Sequence, residues 1–166
     1  LHNPAIRENF IEQVFTLKRW RETRTRRSCV GNVVDFHSRN KLLLMAHSPK
    51  HLKAMGKMVA GGKAKECRPL YHEYEECLLD ALRLKTTTRK NVNVLQHMLG
   101  YFKKDLSADE KQELLEVIDR YHRQLIPLVV PLTLFRHFVR KYDQPYLKQQ
   151  TYLNPHPVEL QLHNHV

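Results

Sequence analysis

The sequence predicts an all-α fold: a single compact domain of about seven helices with an extended C-terminal tail. Three observations carry this. Apolar residues recur at three- and four-residue spacing through most of the chain, as in Leu70, Tyr74, Leu78 and Leu82. Only five Gly and eight Pro punctuate 166 residues, while Leu, Lys, Glu and Arg are abundant. Helix-start signals stand directly before periodic segments at Asn3-Pro4, Ser48-Pro49 and Ser107 with Glu110. A chain of this length can bury one core without staples.

Asn3-Pro4 opens the first helix, since Asn caps and Pro fits the first turn. Ile6, Phe10, Val14 and Leu17 or Phe15 are its expected apolar stripe, leading into Lys18-Arg19-Trp20-Arg21 and then Arg24, Arg26 and Arg27. Residues 31–47 make the second helix, with Val34, Leu42, Leu44 and Met45 as expected core. Ser48-Pro49 starts a third helix over residues 50–60, stopped by Gly61-Gly62. A basic link at residues 63–65 precedes a fourth helix over residues 69–84, with Glu73, Glu75, Glu76 and Asp80 as a solvated acidic face. The fifth helix is expected over residues 88–104, with Val92, Val94, Leu95, Met98, Leu99 and Phe102 inward. Ser107-Ala-Asp-Glu110 is a capping box that starts a helix through Arg123, with Leu114, Leu115, Ile118 and Tyr121 inward. Pro127 and Pro131 interrupt residues 124–131. A helix over residues 132–142 follows, then a short helical piece at 145–153 and an extended tail from Asn154.

Net charge is +11, and the pI is near 9.7. Residues 1–63 hold thirteen Lys and Arg against four acids, and residues 64–166 hold fifteen against thirteen. A basic half points to a polyanionic partner, nucleic acid before an anionic membrane surface. No apolar run reaches the ~20 residues of a membrane-spanning helix and no signal peptide is present, so a cytoplasmic location and no membrane are expected. The chain begins on Leu1 rather than Met, as a trimmed chain or a piece of a longer protein would. Cys29, Cys67 and Cys77 are odd in number and lack C-x-x-C spacing, so buried thiols are expected rather than a disulfide framework or zinc site. No metal site and no cofactor is expected in this chain. Gly-rich phosphate loops, nucleophile elbows and H-E-x-x-H are missing, which weighs against a self-contained enzyme of a common class.

The fifth helix carries the most suggestive pattern. Arg89, Asn93, His97, Tyr101 and Lys104 line one edge at four- and three-residue spacing with no carboxylate among them. Such a row can donate hydrogen bonds to an anionic or aromatic ligand, or it can be a solvated helix face. Trp20 among arginines can stack on a base or anchor packing. His47, Ser48 and His51 cluster where the third helix starts, a place that suits either a phosphate or simple capping. His37 and Lys41, four apart, and Arg136 can complete a pocket with the fifth helix.

Several segments together resemble the YbgA-like bacterial family. They are His37-Ser-Arg-Asn-Lys41 with Leu44-Met-Ala-His-Ser-Pro49, Arg89-Lys-Asn-Val-Asn-Val-Leu-Gln-His97 with Gly100-Tyr-Phe-Lys103, and Ile126-Pro-Leu-Val-Val-Pro-Leu-Thr-Leu134 with Arg136-His137. Tyr146-Leu-Lys-Gln-Gln-Thr-Tyr-Leu153 and Pro155-His-Pro157 complete the set. The resemblance implies a domain found alone or fused behind a cysteine-cluster domain that looks like an iron–sulfur desulfidase. It further implies a link to removal of sulfur from thiolated uridine in tRNA, with this domain as the RNA-binding half. Residues 3–20 resemble the segment that joins the two domains in fusions, so residues 1–29 are expected as a basic N-terminal helix and 30–166 as the YbgA-like domain. Nothing here resembles the desulfidase domain, so the iron–sulfur cluster belongs to a fused or partner domain.

The expected function is therefore nucleic-acid binding, most of all tRNA. Arg24, Arg26 and Arg27 would make charge contacts, and His37, Lys41, Arg89, Lys90, Asn93, His97, Tyr101 and Arg136 would form a shaped site. Arg89, Asn93, His97 and Tyr101 are expected to face a shared groove. Two alternatives remain: an enzyme acting on a nucleotide or phosphorylated small molecule through His37, Lys41, His97, Tyr101 and Arg136, or a scaffold that docks a desulfidase partner through the first helix.

Overall fold

The computed structural model describes residues 4–24, 29–62 and 66–155. It is all-α. Among the described residues lie eight helices: α1 (Pro4–Arg24), α2 (Cys29–His47), α3 (Pro49–Gly61), α4 (Cys67–Arg83), α5 (Thr88–Gly100), α6 (Ala108–His122), α7 (Val129–Lys141) and α8 (Pro145–Lys148). None of these helices is long and apolar enough to cross a membrane. The chain gathers into two units, Leu1–Lys85 and Thr86–Val166. The tail from residue 156 lies outside the described residues.

In the first unit, α4 supplies the core stripe the periodicity predicts: Leu70, Tyr74, Leu78 and Leu82 are all buried. α1 turns a different side inward from the predicted one. Phe10 and Val14 are 55% and 46% exposed, while Thr16 and Trp20 are fully buried. The inner side is partly polar, which a hydropathy count passes over: Gln13 donates to the Leu82 carbonyl at 2.7 Å and Arg19 to the Thr16 hydroxyl at 2.8 Å. Trp20 is the anchor, stacked on Tyr74 at 4.8 Å between ring centroids and edge-on to Phe36 at 5.0 Å and Tyr71 at 5.6 Å. α2 buries Val33, Phe36 and Leu43 beside the predicted Leu42 and Leu44; Val34 is exposed and Met45 half-buried. Ser48 caps α3, its Oγ accepting from the His51 amide at 3.3 Å. His47 is buried at the end of α2. Its Nδ1 donates to the Leu84 carbonyl at 2.7 Å, and its Nε2 meets the Glu12 carboxylate at 3.0 Å, so one ring ties α1, α2 and the end of α4.

The second unit is organised on α5. Thr87 caps its start, accepting from the Lys90 amide at 3.3 Å. The helix ends at Gly100 rather than at residue 104. The Tyr101 amide turns back to Met98 at 3.0 Å and that of Phe102 to Leu99 at 3.1 Å, a tightening that carries the Phe102 ring into the core. The inner face is Asn91, Val94, Leu95 and Met98. Asn91 is the unexpected member: its amide donates to the Tyr121 hydroxyl at 3.1 Å and accepts from that of Tyr152 at 3.0 Å. One buried carboxamide thus satisfies two phenols from α6 and the C-terminal turns.

The capping box of α6 is present in full. Leu115 is exposed, against expectation, because Leu114, Ile118 and Tyr121 at four and three spacing already define the inner side. α6 and α7 both end with a residue at positive φ, Gln124 (60°) and Asp143 (44°). The next amide reaches back five residues in each case, Leu125 to the Arg120 carbonyl at 3.0 Å and Gln144 to the Val139 carbonyl at 3.0 Å. These are Schellman stops built without glycine. α7 starts at Val129, earlier than predicted, since Pro131 sits in its first turn, where a missing N–H costs no hydrogen bond.

Glu110 links the box to α7. Its carboxylate accepts from the Ser107 amide at 2.8 Å, from the Tyr142 hydroxyl at 2.6 Å and from the Lys141 ammonium. These donors hold its pKa down at about 2, from an ordinary 4.5. A depressed carboxylate stabilises the fold above its unfolded pKa, and that contribution is lost as pH falls from about 4.5 towards 2. The Glu110→Gln variant is therefore expected to lose stability at pH 7 but to show a smaller further loss on acidification across this window than the native chain. Denaturant unfolding at several pH values, read by far-UV circular dichroism, checks this; parallel pH profiles for the two proteins would refute it.

Candidate nucleic-acid interface

Charge is sorted by helix. No Asp or Glu occurs between Asp35 and Glu66, nor between Asp80 and Asp105. The first gap contains α3 and most of α2; the second contains α5. The acids collect on α4 (Glu73, Glu75, Glu76 and Asp80) and on α6 (Asp109, Glu110, Glu113, Glu116 and Asp119). α3 packs on α4 and α5 on α6. Each unit thus sets an acid-free helix beside an acidic one.

On α3 the exposed charged side chains are Lys50, Lys53 and Lys57. Spacings of three and four hold them within one narrow arc of the helix. Sequence reading passed over them, because three lysines in an amphipathic helix form no motif. The signal that could have found them is the acid gap around them. On α5, Arg89, Asn93 and His97 are exposed together, with Gln96 beside them. They form an open face on α5. The groove near the end of α5 is lined instead by Gln96, Leu99, Phe102, Lys103, Leu106 and Lys111, and has a volume of about 220 Å³.

The remaining predicted residues fall into distinct settings. Tyr101 follows α5 and is 40% exposed; its ring stacks on Tyr146 at 4.8 Å, and burial beside it pushes the Tyr146 phenol up. Lys90 lies half-buried next to Arg89, and Lys104 is exposed in the turn beyond the helix. Arg136 is half-buried on α7, and its Nε donates to the Leu153 carbonyl at 2.7 Å. That bond closes the C-terminal turns onto α7. Lys41 is exposed on α2.

His37 points into the core of the first unit, where its Nδ1 meets the Tyr74 hydroxyl at 3.1 Å. Burial first, and the Lys41 charge second, push its pKa down to about 4 from an ordinary 6.5. The imidazole is therefore neutral at physiological pH and serves as a polar partner for a buried phenol. Trp20 is likewise a packing residue, with no surface on which a base could stack. Arg24 is exposed at the end of α1; it pairs with Glu75 at 2.6 Å and lies over the Tyr71 ring at 5.7 Å. Arg26 and Arg27 lie outside the described residues. At the start of α3, Ser48 Oγ and His51 Nδ1 are 2.8 Å apart, while His47 faces inward. Capping occupies that junction.

These features define a class: a basic all-α protein of two helical units, each presenting a cationic helix face free of carboxylates. The chain belongs to the family described as "Protein of unknown function (DUF1722)", whose model matches residues 41–157. It is 32% identical over 128 residues to "Uncharacterized protein YbgA" of Escherichia coli (strain K12), a match that takes in 76% of each chain. No solved structure matches. The family match begins at Lys41, within α2, and takes in both acid-free helix faces.

Proposed function

We propose that this chain is an RNA-binding helical module whose ligand is tRNA, acting in connection with removal of sulfur from thiolated uridine. The observation that carries the reading is the pair of exposed, acid-free helix faces, Lys50, Lys53 and Lys57 on α3 and Arg89, Asn93 and His97 on α5. The cations hold backbone phosphates and release their counterions. The carboxamides of Asn93 and Gln96 suit base or sugar edges, and the exposed part of the Tyr101 ring suits an unstacked base. The step from RNA to thiolated tRNA rests on the resemblance described above. Titration of tRNA at rising salt is the test. With about four phosphates neutralised, by Lys50, Lys53, Lys57 and Arg89, log affinity should fall against log salt with a slope of roughly −3 to −3.5. Affinity indifferent to salt, or no binding at low salt, would sink the reading.

A second reading rests on a different surface. Phe10 and Val14 are large apolar side chains exposed four residues apart on α1. They suit docking of a desulfidase-like domain, in cis or in trans, that carries the iron–sulfur cluster. Asp at both positions should abolish co-elution with a separately produced cysteine-cluster domain and leave the tRNA salt slope unchanged. Undiminished co-elution would remove this reading.

A further inference from the structure

Cys29 is the first residue of α2 and Cys67 the first of α4. Both are free thiols; Cys67 is exposed and Cys29 half-buried. One turn further along each helix the two elements are joined, since the Asn32 amide donates to the Tyr71 hydroxyl at 3.4 Å. Asn32 is three residues after Cys29 and Tyr71 four after Cys67, so the cysteines lie on the same facing sides of their helices. The neighbouring residues show the same approach: a Cβ built on Gly62 would meet Leu70 of α4 at 3.2 Å and Val30 of α2 at 3.5 Å. The Cys67 thiol and the Tyr71 phenol are the groups that neighbour the Cys29 thiol. Cys77 is half-buried further along α4.

We propose that Cys29 and Cys67 form a reversible two-electron redox site, a dithiol whose co-substrate is a small disulfide such as glutathione disulfide. The exposed Cys67 is the entry thiol. Its thiolate attacks one sulfur of the small disulfide, forming a mixed disulfide and expelling a thiolate that takes up a proton. The Cys29 thiolate then attacks Cys67 Sγ, forming the Cys29–Cys67 bond and expelling the second small thiolate. The protein loses two electrons and two protons, and the oxidant is reduced to two thiols. Burial and the neighbouring Cys67 thiol raise the Cys29 pKa to about 11, which makes Cys29 a poor first nucleophile. It reacts only because the mixed disulfide is delivered beside it.

The test uses the whole chain, equilibrated with glutathione at a series of reduced-to-oxidised ratios, then alkylated and mapped by mass. The expected product is one intramolecular Cys29–Cys67 bond, a mass lower by two hydrogens, and an alkylated Cys77. The Cys29→Ser variant should stop at glutathione attached to Cys67, and Cys67→Ser should leave Cys29 alkylatable at every ratio. The Cys77→Ser variant should still form the bond. The proposal is overturned if the native chain keeps both thiols alkylatable at the most oxidising ratio, or accumulates the mixed disulfide. Linkage only between chains overturns it too. The native chain alone yields these outcomes, so misfolding of a variant leaves the answer intact.

Discussion

Replacing Lys50, Lys53 and Lys57 together by glutamate is expected to lower tRNA affinity by about 10²–10³-fold at roughly 0.1 M salt, since each phosphate left without its lysine costs ~5–8-fold. The three side chains are exposed on one face of α3, so the fold should keep its stability within about 0.5 kcal/mol. The slope of log affinity against log salt should shrink by roughly 2–3. Filter binding or fluorescence anisotropy with labelled tRNA reads both quantities, and thermal unfolding checks the fold. The substitution of Arg89, Asn93 and His97 by alanine removes the α5 face alone and tests whether the two faces contribute separately. If the triple glutamate variant binds as the native chain does, the α3 face is a solvated surface and the proposal loses half its support.

What is legible from sequence is whatever depends on local pattern. The α4 stripe is strictly periodic and sits where its spacing puts it, and the Ser107–Glu110 box needs only four residues to be recognised. Sequence and structure part where polar groups replace apolar ones on an inner side. α1 packs through Gln13, Thr16 and Trp20, so a hydrophobic count selects Phe10 and Val14, which are exposed. On α5, Asn91 takes an inward position because two phenols need it, and no sequence rule announces partners 30 and 61 residues away. The row of Arg89, Asn93 and His97 is legible as a row, but its setting on an open face is not. His37 reads as a pocket residue because histidine and lysine four apart look like a site; burial against Tyr74 makes it core. The thiol pair is invisible for a simpler reason. Cys29 and Cys67 come together only through the packing of α2 on α4, and no spacing motif spans that distance.

The Trp20→Ala variant is expected to cost the first unit about 3–5 kcal/mol, the range for removing a large buried aromatic side chain. The ring is fully buried among Phe36, Tyr71 and Tyr74. Stacked and edge-on aromatic contacts add about 0.5–1.5 kcal/mol per pair beyond area alone. The indole N–H is buried and has no hydrogen-bond partner among the described residues. Trp20→Phe therefore gives up some packing but also removes an unsatisfied donor, and should cost only about 1 kcal/mol. Trp20 is the single tryptophan of the chain, so its emission reports on this unit without interference. In the native protein that emission should be blue-shifted and should not be quenched when tRNA is added, because no base can reach the ring. Below the unfolding transition, Trp20→Phe should bind tRNA with native affinity. Quenching by tRNA, or a Trp20→Phe variant that keeps its stability but loses binding, would move Trp20 from packing anchor to stacking platform. It would also mean that the end of α1 opens when RNA binds.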